Sequence, residues 1–314
     1  MWPKQFKAIY KNAFKVCASD PFYLVISLAS VILMVLAASM PSLGEEEHLR
    51  LVRDQTHSIL FICGALAGAF GLIRVVTDDL RRGAGSILMS RPINPAILMA
   101  GKLFGVLICV GVLFLTGSFA YLWVSEIAKN NEELDTLSLI LYLVAIILSV
   151  VAGAIRQYLF GSNFSLCSSL SLCALMLIGV GIRLTITETR WFDFQGLQSI
   201  LLLFLAVASF CATVQVVAVL ADSAMVLGTA IILFFFGLIS SYLTTKFLGG
   251  DFGQLISSIL PNWQNYWILE ALGQGEKIPL QYFLQITFQT AIYVGMYTVI
   301  STALFERTEI KGNA

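Results

Sequence analysis

Apolar runs, each about twenty residues long, charged nowhere but near an end and so able to cross a bilayer as a helix, alternate along this chain with short polar segments. The runs cover 22–40, 58–76, 103–124, 137–159, 164–182, 197–220, 225–245 and 282–305. Inside hydrocarbon every backbone N–H and C=O must be satisfied within its own segment, so each run is expected to be a helix. The pattern predicts an all-α polytopic membrane bundle of about eight spans, forming a single transmembrane domain over 22–305. A six-span chain, with 137–182 as a re-entrant or interfacial hairpin, keeps the same parity. Ahead of the first run, Lys4, Lys7, Lys11 and Lys15 recur at steps of three and four. They share one helical face, opposite Trp2, Phe6, Ile9, Tyr10, Ala13, Phe14 and Cys17. Residues 1–21 therefore read as an amphipathic helix lying in the membrane interface, with its lysines towards lipid headgroups. Its basic part is too long and too patterned for a cleaved signal peptide, and the run that follows exceeds a signal core. Asp20-Pro21 supplies an N-cap and a first-turn proline for the next helix.

The polar segments set the orientation. Eight spans put both termini on one side. That side then holds twelve of the nineteen lysines and arginines, namely Lys4, Lys7, Lys11, Lys15, Arg74, Arg81, Arg82, Arg91, Lys102, Arg156, Arg307 and Lys311. Positive residues stay inside, so the termini, the 306–314 tail and residues 77–102 are expected to be cytoplasmic. Segment 41–57, with Glu45–Glu47 and both histidines, His48 and His57, reads as a solvated loop on the other side. So do 125–136 and 183–196, which leaves 246–280 as a long Gly-rich, aromatic loop.

Composition agrees and narrows the class. The chain is 58% hydrophobic and 12% charged, with a mean hydropathy of +0.86. Soluble domains carry about 25% charged residues. Zero net charge gives no reason to expect nucleic acid. Five of the six cysteines fall in apolar runs and none has C-x-x-C spacing, so they read as small buried hydrophobes rather than metal ligands. No ionisable residue sits mid-span, which argues against a proton- or sodium-coupled carrier and against a channel with a charged ring. Gln281, Gln285 and Gln289 form the one polar stripe in a span, suited to interhelical hydrogen bonds or to a transport path. The chain has no G-x-x-x-x-G-K-[ST], no G-x-S-x-G and no H-E-x-x-H. It is expected not to be an enzyme, and to bind no metal or nucleotide cofactor itself.

Residues 77–102, TDDLRRGAGSILMSRPINPAILMAGK, are too polar to cross a bilayer and too apolar for a solvated loop. Thr77 as cap, with Asp78 and Asp79 at the positive end, predicts a helix start there. Ile87, Leu88 and Met89 form an apolar cluster, Arg91-Pro92 ends the element, and a second helix is expected from about Pro95. An exposed apolar cluster needs either a membrane or a partner's groove.

This stretch resembles the membrane subunits of type-2 ATP-binding-cassette (ABC) exporters. Their pattern is an acidic residue followed by basic or glycine residues, a leucine-rich stretch ending in Ser-x-Pro, and a Gly-Lys pair opening the next span. The matching residues are Asp79, Arg81-Arg82-Gly83, Leu88-Met89-Ser90-Arg91-Pro92 and Gly101-Lys102. The amino-terminal helix, the Ala221–Ala224 turn, Ile259-Leu260-Pro261-Asn262 and the ending Leu304–Glu309 are also similar to that family. Two features depart from it. Asn94-Pro95 stands where relatives often carry an arginine, and 125–196 looks like a hairpin inserted into a six-span plan. The resemblance implies a permease subunit that pairs with a second permease subunit, identical or related. It implies that Asp79, Arg81, Arg82, Ile87, Leu88, Met89, Arg91, Pro92 and Lys102 couple it to a separate ATPase subunit, where ATP and Mg would be held. It also implies that Pro261, Trp263, Tyr266 and Trp267 belong to short helices that dip back before the last span and help close an outer gate; interfacial anchoring is the other reading of those aromatics. The expected setting is a bacterial inner (cytoplasmic) membrane with membrane lipids as neighbours. The alternatives are a membrane scaffold or assembly factor without a transport path and, less favoured, a secondary carrier.

Overall fold

The computed structural model describes residues 2–40, 45–81, 94–129, 136–186, 193–247, 262–273 and 278–312. Among them there are helices and no strands. In chain order these are α1 (Trp2–Ala18), α2 (Pro21–Ser39), α3 (Glu45–Leu72), a π-turn (Ile73–Thr77) and α4 (Asp78–Arg81). After them come α5 (Pro95–Lys129), α6 (Thr136–Phe160), α7 (Phe164–Ile186), α8 (Phe194–Leu220) and α9 (Ser223–Phe247). A 3₁₀ turn (Trp263–Tyr266), the short α10 (Leu269–Gly273) and α11 (Leu280–Gly312) complete the described chain. Eight of these helices are long and apolar enough to cross a membrane: α2, α3, α5, α6, α7, α8, α9 and α11.

The core lies where α3, α5 and α8 meet. Small residues let the backbones approach there. A Cβ at Gly64 would meet the Phe114 ring, and one at Gly68 would meet Cys211 Sγ, so the Gly64-x-x-x-Gly68 face seats α5 on one side and α8 on the other. α1 packs lengthwise on the first turns of α5. Gly105 makes this possible, because a Cβ there would lie 2.7 Å from Tyr10 O and 2.9 Å from Phe14 N. The apolar face of α1 buries Ala13 and Cys17 and half-buries Phe6 and Phe14 against the protein, leaving Lys4, Lys7, Lys11 and Lys15 exposed. Phe6 and Tyr10 both pack on the Phe104 ring, at centroid distances of 5.7 and 5.6 Å. The side chain of Trp2 lies outside the described residues.

The 136–186 stretch forms two full-length helices joined at Gly161, whose φ of +61° is left-handed and suits glycine. This hairpin is keyed to the bundle by polar atoms. Tyr142 donates its O–H to Val31 O on α2 at 2.9 Å, while its ring stands edge-on to Trp123 of α5 at 5.3 Å. α9 and α11 bury the smallest shares of their length, so their outer faces are open to whatever surrounds the bundle.

Two sequence expectations are corrected. Segment 41–57 is expected to be a solvated loop, but from Glu45 onward it is part of α3, and His48 and His57 are both buried; 41–44 lie outside the described residues. Good helix formers carry the helix through this polar stretch, with His48, Val52, Thr56 and His57 turned inward on one face. Thr77 does not cap a new helix either. The backbone passes from α3 through the π-turn into α4 without a break, and the Thr77 hydroxyl donates across to Ala218 O of α8 at 3.0 Å.

Candidate functional site

The bundle has two ends. One carries the α1–α2, α4–α5, α6–α7 and α8–α9 junctions, and is called proximal here because both chain termini lead to it. The other, distal end carries the α2–α3 and α7–α8 junctions and α10.

At the proximal end, side chains from the α1–α2, α4–α5 and α8–α9 junctions meet. Asp20 caps α2 by accepting from Phe22 N at 2.9 Å, and the same carboxylate pairs with Arg74 of the π-turn. Arg74 also donates through Nη1 to Asp78 at 3.1 Å, and Asp78 accepts the Ser223 hydroxyl of α9 at 3.2 Å. Arg81 pairs with Asp222 in the α8–α9 turn. Lys102 of α5 donates through Nζ to Val75 O at 2.7 Å and to Asp79 Oδ2 at 3.1 Å.

The Lys102 contact falls on the π-turn, where Asp78 N–H reaches back to Ile73 O and Val75 O accepts the ammonium. Lys102 is only 6% exposed, so its charge is turned into the bundle rather than towards a docking surface. A buried ammonium must be paired and hydrogen-bonded, which both contacts provide.

Asp79 and Arg81 stand at the end of α4 and Asn94 at the start of α5, where its side chain accepts from Ala96 N at 2.9 Å with Pro95 in the first turn. The Asp79–Lys102 pair therefore ties together the two roots of the segment between Arg81 and Asn94. Arg82, Ile87, Leu88, Met89, Arg91 and Pro92 lie outside the described residues. The sequence reading missed the partners. Asp20 was read only as a cap, Asp78 only as a dipole partner and Asp222 only as part of a turn. Gln215 of α8 went unremarked; it is fully buried and donates to Met99 O at 2.9 Å. An acid or amide at a helix end facing another helix end is the signal that could have found them.

The distal half holds the described stretch 262–273, made of the 3₁₀ turn and α10. Trp263 and Tyr266 are buried rather than spread along an interface. The Trp263 indole donates to Phe234 O at 3.1 Å and rests edge-on to Phe210 at 6.0 Å. It also lies against Gly237, where a Cβ would run into the ring. Phe210 stands sixteen residues into α8, about 24 Å along its axis from the distal end, so the indole reaches well into the bundle. The Tyr266 hydroxyl bridges Ser209 (3.2 Å) and Thr290 (2.9 Å), joining α8 to α11. Trp267 is partly exposed beside Phe61. Pro261 lies outside the described residues. Asn262 caps the 3₁₀ turn through Gln264 N at 3.0 Å.

Between α3, α9 and this stretch lies an apolar groove of about 860 Å³. Above it, at the distal end, Asp193 accepts from the Tyr121 hydroxyl (2.6 Å), from Arg53 (3.2 Å) and from Gly196 N (2.9 Å). His57 packs beneath, Nδ1 at 2.7 Å from Arg53 O and Nε2 at 3.1 Å from Gly196 O. These contacts lock α3, α5 and α8 together where the groove begins. No family model matches the chain, and no curated protein or solved structure is significantly similar to it.

Proposed function

We propose that the chain is a permease subunit of an ATP-driven exporter of the type-2 ABC kind, driven by a separate ATPase subunit through residues 77–102. The observation that carries this reading is the proximal network. A single set of ion pairs joins both roots of the 82–93 segment to the α1–α2 junction and to the α8–α9 turn. A force on that segment would reach α2, α3, α5, α8 and α9 together. Such a linkage suits rigid-body motion of packed helices, because close-packed elements pass displacement on rather than absorb it. The 262–273 stretch and the groove beside it would then form the closing element and wall of a substrate path. In this reading the termini and the proximal end face the cytoplasm of a bacterial inner membrane. ATP and Mg sit on the partner, and a second permease subunit covers part of the open faces of α9 and α11.

Leu88→Asp is the test. It introduces a charge into the apolar cluster of the coupling segment without touching the network at its roots. The ATPase subunit is expected to be lost on co-purification while the melting temperature of the permease stays within a few degrees of wild type. Retention of the ATPase by the variant would contradict the assignment.

A further inference from the structure

The groove between α3 and α9 has a depth, a polarity gradient and a charge pattern that together describe an occupant. Its walls run from Ser58 to Ala69 on α3 and from Leu227 to Leu238 on α9. Each wall is eleven helical steps, about 16 Å at 1.5 Å per residue. That is half of a hydrocarbon core of about 30 Å, the depth of one leaflet. The polar lining residues, Ser58, Gln264 and Glu270, stand at the distal end, and below them the lining is apolar. The Ser58 hydroxyl and the Gln264 amide already donate to Asp54 O and Leu238 O. Among the described residues Glu270 is the one ionisable residue lining the groove, and its side chain is exposed. Arg50 packs against Gly273, three residues further along α10. Glu270 and Arg50, with the Asp54 carboxylate beside Arg50's charge, thus stand at the end where a headgroup would lie.

We propose that this groove holds one phospholipid from the distal leaflet of the bilayer, with an amine-bearing headgroup. The acyl chain lies between α3 and α9, the amine meets Glu270, and the phosphate lies on the Arg50 side. This site does not depend on the transport reading; it needs only that the bundle be in a membrane. A second groove supplies the internal contrast. It lies between α5, α7 and α8, has a volume of about 820 Å³, and is apolar along its whole length apart from Ser118. The Ser118 hydroxyl is turned back onto Phe114 O at 2.8 Å. That groove accepts alkyl chains with no means of reading a headgroup.

The test uses the full chain in phosphatidylcholine nanodiscs doped with phosphatidylethanolamine or phosphatidylglycerol, each carrying a diazirine at the acyl terminus. Labelled peptides are mapped by mass spectrometry. The ethanolamine probe is expected to label the 58–69 and 227–238 peptides about two- to fivefold more than the glycerol probe, the range a solvent-facing ion pair confers. The α5–α7–α8 groove is expected to label equally with both. Ile62→Trp and Ile231→Trp each enlarge a side chain exposed in the first groove and should remove its label while leaving the second groove labelled, which also reports that the bundle is folded. Glu270→Gln should bring the probe ratio in the first groove to about one without changing total labelling. Equal labelling by the two probes in the wild-type chain would overturn the proposal, as would label that persists in both tryptophan variants. A disulfide dimer formed in high yield through Ile231→Cys, with the groove unlabelled, would assign the groove to a second copy of this chain instead.

Discussion

Asp193 shows how much one residue carries at the distal end. Its carboxylate serves three donors from three elements while only 8% exposed. Asparagine would set an N–H₂ against donors that need an acceptor and leave the Arg53 guanidinium without its charge partner. Asp193→Asn is expected to cost about 3 kcal/mol, since breaking a buried charged contact on one side strands the other. Tyr121→Phe removes a single O–H from the same oxygen and should cost about 1 kcal/mol. Unfolding in detergent, followed by helical circular dichroism, gives both values, and equal costs would show that the carboxylate is not the hub of this cluster. His57 belongs to the same argument. Both ring nitrogens face carbonyl oxygens, so its role is to hold Arg53 and Gly196 in register rather than to meet solvent.

At the scale of elements, the 262–273 stretch is held by close packing more than by sequence-local signals. Gly237 leaves room for the Trp263 indole, and a methyl group there would collide with the ring. Gly237→Ala should expel the indole from its seat against Phe210 at a cost of about 1–3 kcal/mol. The fluorescence of a chain keeping Trp263 as its only tryptophan is expected to shift to the red; an unchanged maximum would mean the ring does not depend on that space.

The helices themselves were legible in the sequence. Long apolar runs force helical backbone inside a bilayer, and the Asp20-Pro21 cap and the start expected near Pro95 mark helix starts that the structure contains. Helix α3 was not read from its true start, because a hydropathy pattern separates lipid-facing from water-facing segments and says nothing about polar helix that buries one face against its neighbours. The π-turn was also invisible: one extra residue in a turn shifts the helical phase without altering composition. The proximal network could not be read because Asp20, Arg74, Lys102 and Asp222 are far apart in sequence and meet only through the packing of the helices that bear them.

For the whole molecule, the account joins a bundle, a root network and an orientation. Orientation is tested at the α6–α7 turn, where Ser162 is half-buried and its hydroxyl donates to Arg156 O at 2.9 Å. Ser162→Cys in intact cells is expected to resist a membrane-impermeant maleimide and to react once the cells are opened; reaction in intact cells would invert the proposed topology. Gln281 and Gln285 are exposed on α11, beside Leu284 and Phe288, on a helix that buries little of itself. In hydrocarbon such amides need partners, which fits the second permease subunit proposed for this face. The central claim is that residues 82–93 meet an ATPase and that the network at their roots carries its motion into the bundle. A photo-crosslinking amino acid placed at position 88 in native membranes tests this most directly. The account predicts an adduct with a P-loop ATPase subunit, and none from the same amino acid at position 162. Adducts to lipid alone at position 88 would contradict it.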